Sequence, residues 1–179
     1  MQKGFTLLEL LIVIAILAIL TTVVILVMNP AESIKRARDT QRISDLDSIK
    51  TAIILYITEG NVDIGATTCL ATPVCYSDLC KGAACGEGKS PSNNNGNGWI
   101  PIAFTGMAGG APLSRLPTDP VNSDPYRYAY AASGTDFELN ANMESDYFTT
   151  KNPVEANDGG NDPNLYEVGT NLTIISPAP

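Results

Sequence analysis

Residues 3–28 read KGFTLLELLIVIAILAILTTVVILVM. From position 5 to position 28 the only polar side chains are Thr6, Glu9, Thr21 and Thr22. Wound as an α-helix, those 24 residues reach about 36 Å, enough to span a hydrocarbon core of about 30 Å. Glu9 does not belong in such a run on hydrophobicity alone. A carboxylate near the bilayer centre is unfavourable by about 2.5–3.5 kcal/mol on insertion scales. The segment therefore needs something that offsets the charge of Glu9.

Beyond this run the chain changes character. It has 179 residues and a net charge of −8, and the part after Gly60 holds 13 acids against 5 bases. Basic residues gather instead at Lys35, Arg36, Arg38 and Arg42, as a solvated face or a surface that meets the acidic head of a neighbouring subunit. An anchor followed by a polar, Gly-, Pro- and Asn-rich head is the organisation this pattern gives. The acidic head argues against general nucleic-acid binding, which requires a basic footprint.

Four cysteines, Cys69, Cys75, Cys80 and Cys85, lie within seventeen residues. Zinc sites favour paired C-x2-C spacing with histidine partners, and the chain has no histidine. Two disulfides in an oxidising compartment fit the spacing better, with three pairings open. The apolar run is longer than the roughly 7–15 residues of a secretory signal, and no small-x-small cleavage site closes it. Counting positive charges would hold residues 35–42 in the cytoplasm. The cysteine-rich head argues for export.

The stretch KGFTLLELL resembles the class III signal of type IV prepilins and type II secretion pseudopilins. That resemblance implies a leader over residues 1–4, cleavage by a membrane-embedded prepilin peptidase between Gly4 and Phe5, and N-methylation of Phe5. It also implies that Glu9 compensates the positive N-terminus of its own or a neighbouring subunit during assembly. The physics agrees: opposite charges about 4 Å apart at an effective dielectric near 20 gain about 4 kcal/mol, comparable with the insertion cost. The implied partners are identical or homologous pilin subunits, the peptidase, an inner-membrane assembly platform and membrane lipid, with no nucleic acid.

The fold expected is α+β, a long N-terminal helical stalk packed on a small antiparallel β-sheet head. Its parts are the leader (1–4), a transmembrane half-helix (5–28), an amphipathic half-helix (29–59), a cysteine-containing variable loop region (60–113), and the sheet with a C-terminal loop (114–179). Asn29 is a cap candidate, Pro30 suits a first helical turn, and Gly60 a stop. Ile34, Ala37, Ile43, Leu46, Ile49, Ile53 and Tyr56 recur near helical spacing, and Ile43, Leu46, Ile49 and Ile53 read as a core-facing stripe. The loop region is longer than compact domains usually carry, and disulfides are expected to hold it in place of a core of its own.

Tyr126, Tyr128 and Tyr130 alternate, SGTD turns, and Phe137, Leu139, Ala141 and Met143 alternate, which predicts a hairpin. A third strand is expected over residues 172–175. The stretches LPTDP and DPYRYAYAASGTDFEL resemble the C-terminal region of G-type major pseudopilins. That resemblance implies Ca²⁺ in the C-terminal loop, with Asp158 and Asp162, beside Asn157 and Asn161, as candidate ligands; the pattern is no EF-hand, and the alternative reading is a plain Asn-Asp-Gly turn. Asp119 and Asp124 read as solvated turn residues. No histidine means no Ser-His-Asp or Cys-His catalysis, GMAGGAP lacks the lysine of a phosphate loop, and the chain reads as no enzyme.

The expected role is a structural pilin, held in the inner membrane before assembly and in an extracellular pilus, or a periplasmic pseudopilus, afterwards. The alternatives are a G-type pseudopilin of type II secretion, and a low-copy tip subunit or anchored receptor that binds a ligand through residues 61–113.

Overall fold

A computed structural model describes residues 4–65, 76–77 and 92–175. Helix α1 (Leu7–Met28) starts at Thr6, whose hydroxyl accepts from the Glu9 amide at 3.2 Å while the Glu9 carboxylate accepts from the Thr6 amide at 3.2 Å. This reciprocal capping box satisfies two of the donors that a helix start leaves open. Thr21 and Thr22 donate their hydroxyls to the carbonyls of Leu17 and Ala18 at 2.7 and 2.8 Å. The helix interior thus leaves neither hydroxyl unbonded, the condition an apolar surrounding imposes.

Helix α2 (Pro30–Thr58) follows after one residue. Asn29 stands between the two at φ +37°, closing α1 and capping α2 through its side chain on the Glu32 amide. Proline disfavours helical backbone in the residue before it, and asparagine tolerates the left-handed region. The stalk is therefore two helices joined at Asn29. Gly60, at φ +91°, ends α2 where a side chain would be strained.

Four strands make an antiparallel sheet in the order β1 (Tyr76–Ser77), β2 (Tyr128–Ser133), β3 (Asp136–Ala141), β4 (Tyr166–Gly169). The β2–β3 hairpin is the one expected, with Ser133 opposite Asp136 and Gly134 at φ +65° in the two-residue turn. Tyr128, Tyr130 and Ala132 face α2, opposite Ala141, Leu139 and Phe137. Leu46, Ile49, Ala52 and Ile53 of α2 pack into the same core. Full burial of such side chains is worth about 1.5–3 kcal/mol each.

Two expectations need correction, the last strand and the start of the helix stripe; the expected disulfides fall outside the described residues. The last strand is Tyr166–Gly169 rather than residues 172–175. Tyr166 and Val168 put their side chains on the core cluster, whereas the amides of Ile174 and Ile175 turn onto the Glu138 carboxylate at 2.7 and 2.9 Å. In the region 60–113, Trp99, Ile100, Ile102, Phe104 and Met107 are buried in the main core. That stretch is held by apolar packing, by the Glu59 carboxylate on the Ala108 and Gly109 amides, and by Trp99 donating to the Pro117 carbonyl. The helix stripe holds at Leu46, Ile49 and Ile53, but Ile43 is half-buried, and the buried row continues instead through Arg42 and Asp39.

Candidate functional site

The N-terminal end of α1 carries the first site. Gly4 and Phe5 precede the helix in irregular backbone, with nothing within 4 Å of where a Gly4 side chain would start, and Phe5 is 80% exposed. Glu9 lies one turn in. Besides the Thr6 amide, its carboxylate accepts the Thr6 hydroxyl at 2.9 Å. Glu9 is thus held by its own chain, one turn from Phe5. The side chains from Leu7 to Val24 are exposed all round, and this segment is long and apolar enough to cross a membrane.

The second site lies where the head meets the stalk. The Arg42 side chain is fully buried. It donates to Asp119 from Nε at 2.6 Å and from Nη2 at 3.0 Å, and to Asp39 from Nη1 at 2.7 Å. Asp39 in turn accepts the backbone amides of Glu144 at 2.9 Å and Ser145 at 2.7 Å. Asp119 accepts those of Val121 and Asn122. Arg38 forks onto Glu144, Arg36 stacks on the Tyr147 ring with its guanidinium carbon 3.6 Å from the centroid, and Glu32 accepts from the Tyr147 amide.

Burial opposes the Arg42 charge, but the Asp119 and Asp39 contacts overcome it and push its pKa up. The Arg38 hydrogen bond holds Glu144 below the usual carboxylate range. The three arginines of the basic cluster are therefore engaged within the chain, and Asp119 is a buried anchor rather than a solvated turn residue. Asp124, by contrast, lies at the surface beside Arg127. The sequence did carry a trace of this lock: stepping back from Ile49 by three and four residues gives Leu46, Arg42 and Asp39.

The third site is on the sheet face turned away from α2. There Ala131, Glu138, Asn140 and Glu167 are buried under the C-terminal segment. Asn140 stands opposite Glu167, and Glu138 opposite Gly169. The Glu167 carboxylate accepts the Asp162 amide at 3.0 Å and the Asn140 side-chain amide at 3.4 Å. Burial, then the hydrogen-bonded Glu138 carboxyl, pushes Glu167 up to about 8. Glu155 accepts the Met143 amide nearby, and burial pushes it up to about 7.

Asp158 and Asp162 adjoin this face, but their oxygens are occupied by the loop itself. Asp158 accepts the Gly160 and Glu167 amides, and Asp162 accepts from Asn164. No set of three or more acidic, histidine or cysteine side chains that could hold a metal occurs among the described residues. Oxygen atoms without a hydrogen-bond donor are nevertheless buried here, on Glu138, Asn140 and Asn161. Cys69, Cys75, Cys80 and Cys85 lie outside the described residues.

Residues 1–25 match the family model of the prokaryotic N-terminal methylation motif. With the apolar helix behind it, that match supports a type IV pilin- or pseudopilin-like protein, and the head–stalk arrangement is an α+β fold consistent with it. No curated protein matches the chain. No solved structure matches it either.

Proposed function

We propose that the chain is a structural subunit of a type IV pilus-like filament, stored in the inner membrane through α1. The observation that carries this reading is the placing of Gly4 and Phe5 just ahead of, and Glu9 one turn into, a helix exposed on all sides, within the methylation-motif match. Hydrolysis of the Gly4–Phe5 bond by a prepilin peptidase leaves a carboxylate on Gly4 and an ammonium on Phe5; after losing a proton, the amine takes a methyl group from a sulfonium donor, which leaves as the thioether. The bond lies before the first helical turn, open to a protease active site.

Before cutting, Glu9 is stabilised by the Thr6 amide and hydroxyl. After cutting, a positive Phe5 terminus on this or a neighbouring subunit offers a stronger partner, worth about 4 kcal/mol at an effective dielectric near 20. Side chains from position 7 to 24 then exchange lipid for the helices of other subunits. Contacts of that head-to-tail kind extend an open helical fibre.

Mass spectrometry of the N-terminal peptide, on protein sheared from the cell surface, tests this. The expected peptide begins at methylated Phe5. A chain recovered only from membranes and still starting at Met1 sinks the reading and favours an anchored receptor. Processed protein absent from sheared fibres instead points to a type II secretion pseudopilin.

A further inference from the structure

One end of the head lies beside the membrane end of the stalk. Helix α1 has 22 residues, about 33 Å at 1.5 Å per residue, which fills a hydrocarbon core of about 30 Å. Helix α2 follows after one residue. Glu32, Lys35 and Arg36 are therefore within about 12 Å of the end of α1, inside side-chain reach of the headgroup layer. Two contacts bring the head to the same level. The Tyr147 amide donates to the Glu32 carboxylate at 3.2 Å, and Arg36 lies over the Tyr147 ring at 3.6 Å. Tyr147 opens a five-residue turn (Tyr147–Lys151), closed by the Asn152 amide on the Tyr147 carbonyl at 2.7 Å. Phe148 meets the Tyr147 ring edge-on at 4.9 Å, and both rings are half-buried.

The composition of this end differs from the rest of the head. Ile34 is 56% exposed, an apolar side chain that the core does not use. Lys35 is half-buried and Arg36 exposed, and neither forms an ion pair among the described residues. The acids nearby are already engaged: Glu32 by the Tyr147 amide, Glu144 by Arg38, and Asp146 by Lys151 at 3.3 Å. The part of the chain after Gly60 holds 13 acids against 5 bases, so an anionic surface repels most of the head. At this end the balance reverses, since Lys35, Arg36, Arg38 and Lys151 outnumber Glu32, Glu144 and Asp146. Aromatic rings flanked by basic side chains suit the headgroup level of a bilayer, where the rings take the apolar boundary and the cations take the phosphates.

We infer that the Tyr147–Lys151 turn and the first two turns of α2 rest on the bilayer that α1 spans, with Lys35, Arg36 and Lys151 on the phosphates of anionic lipid and Ile34, Tyr147 and Phe148 at headgroup level. The inference rests on the membrane reading of α1 and not on the filament reading. It gives the head one fixed orientation while the subunit is stored. It also gives Ile34 and Lys35, which the fold leaves out of its core and its ion pairs, a partner outside the chain.

The test reconstitutes the full chain, one copy per lipid nanodisc, in phosphatidylcholine alone or in an equal mixture with phosphatidylglycerol. Amide hydrogen exchange over residues 144–152 reads the contact. In the anionic discs at low salt, exchange slows about five-fold, the factor that one basic side chain near such a surface contributes. Salt that shortens the Debye length to about 3 Å abolishes the difference. Ile34→Ser, and Lys35→Gln combined with Lys151→Gln, touch no buried ion pair, so both keep the unfolding midpoint of the head but lose most of the slowing. Equal exchange in the two lipids, or slowing that salt and the variants leave intact, overturns the inference alone. Slowing that requires a second copy in the disc, whatever the lipid charge, also overturns it and assigns the surface to a neighbouring subunit. A chain that does not enter the discs overturns the membrane reading of α1 and this inference with it.

Discussion

Helices α1 and α2 are separated by one residue, yet each inverts what a soluble helix does. In α1 the exposed side chains are leucines, isoleucines and valines, with Leu7 82% exposed. In the first half of α2 the buried side chains are charged, with Asp39 and Arg42 wholly enclosed. An apolar helix exposed on every side has its partner outside the chain, in lipid or in other subunits. A buried arginine must have its partners inside the chain, because an unpaired buried charge is not tolerated. The difference divides the stalk into a half committed to intermolecular contact and a half committed to its own head.

The comparison breaks most severely at the single charge in α1. Under the proposed assembly, Glu9→Ala removes the carboxylate that would meet the Phe5 terminus, a loss of about 4 kcal/mol, or on the order of a thousand-fold in the assembly equilibrium. Immunoblots of sheared material should show incorporation collapsing, while the head, which Glu9 does not touch, keeps its unfolding midpoint. Normal filaments from the alanine variant would refute the charge-pairing account.

Arg42→Ala acts on the other half. It leaves Asp39 and Asp119 enclosed without their counter-charge, a cost of about 3–5 kcal/mol, read as a lower midpoint in chemical denaturation of the full chain in micelles. Arg38→Ala sharpens the point. Its side chain is 31% exposed, and such a pair is worth at most about 1 kcal/mol. Equal losses from the two would mean that burial does not distinguish them.

The smallest expected effect is at the helix start. Thr6→Ala removes the cap, at about 1 kcal/mol, and should speed amide hydrogen exchange over the first turn of α1 about five-fold. Thr6→Ser, which keeps the hydroxyl, should not.

The hairpin, the stop at Gly60 and the break at Asn29–Pro30 were legible because each rests on local chemistry: alternation, a positive φ, a missing amide hydrogen. The charged lock was not. Periodicity counts apolar residues, so the stripe it marks begins at Ile43 and misses the buried face, which continues through Arg42 and Asp39. The last strand was misplaced for a related reason. Residues 172–175 are as apolar as a strand needs, but the carboxylate of Glu138 engages the Ile174 and Ile175 amides, leaving Tyr166–Gly169 to pair with β3.

By itself the sequence determined an apolar helix too long for a secretory signal, an acid five positions into it, and a polar head built around a hairpin. Hydrophobicity and spacing carry those features, and neither needs a distant partner. The tertiary structure alone decided which charges lie inside. Arg42 and Asp119 are 77 residues apart, and Glu138 and Ile174 are 36 apart. A charge becomes a core residue only when folding brings its counterpart within hydrogen-bond reach, and nothing local in the chain records that meeting.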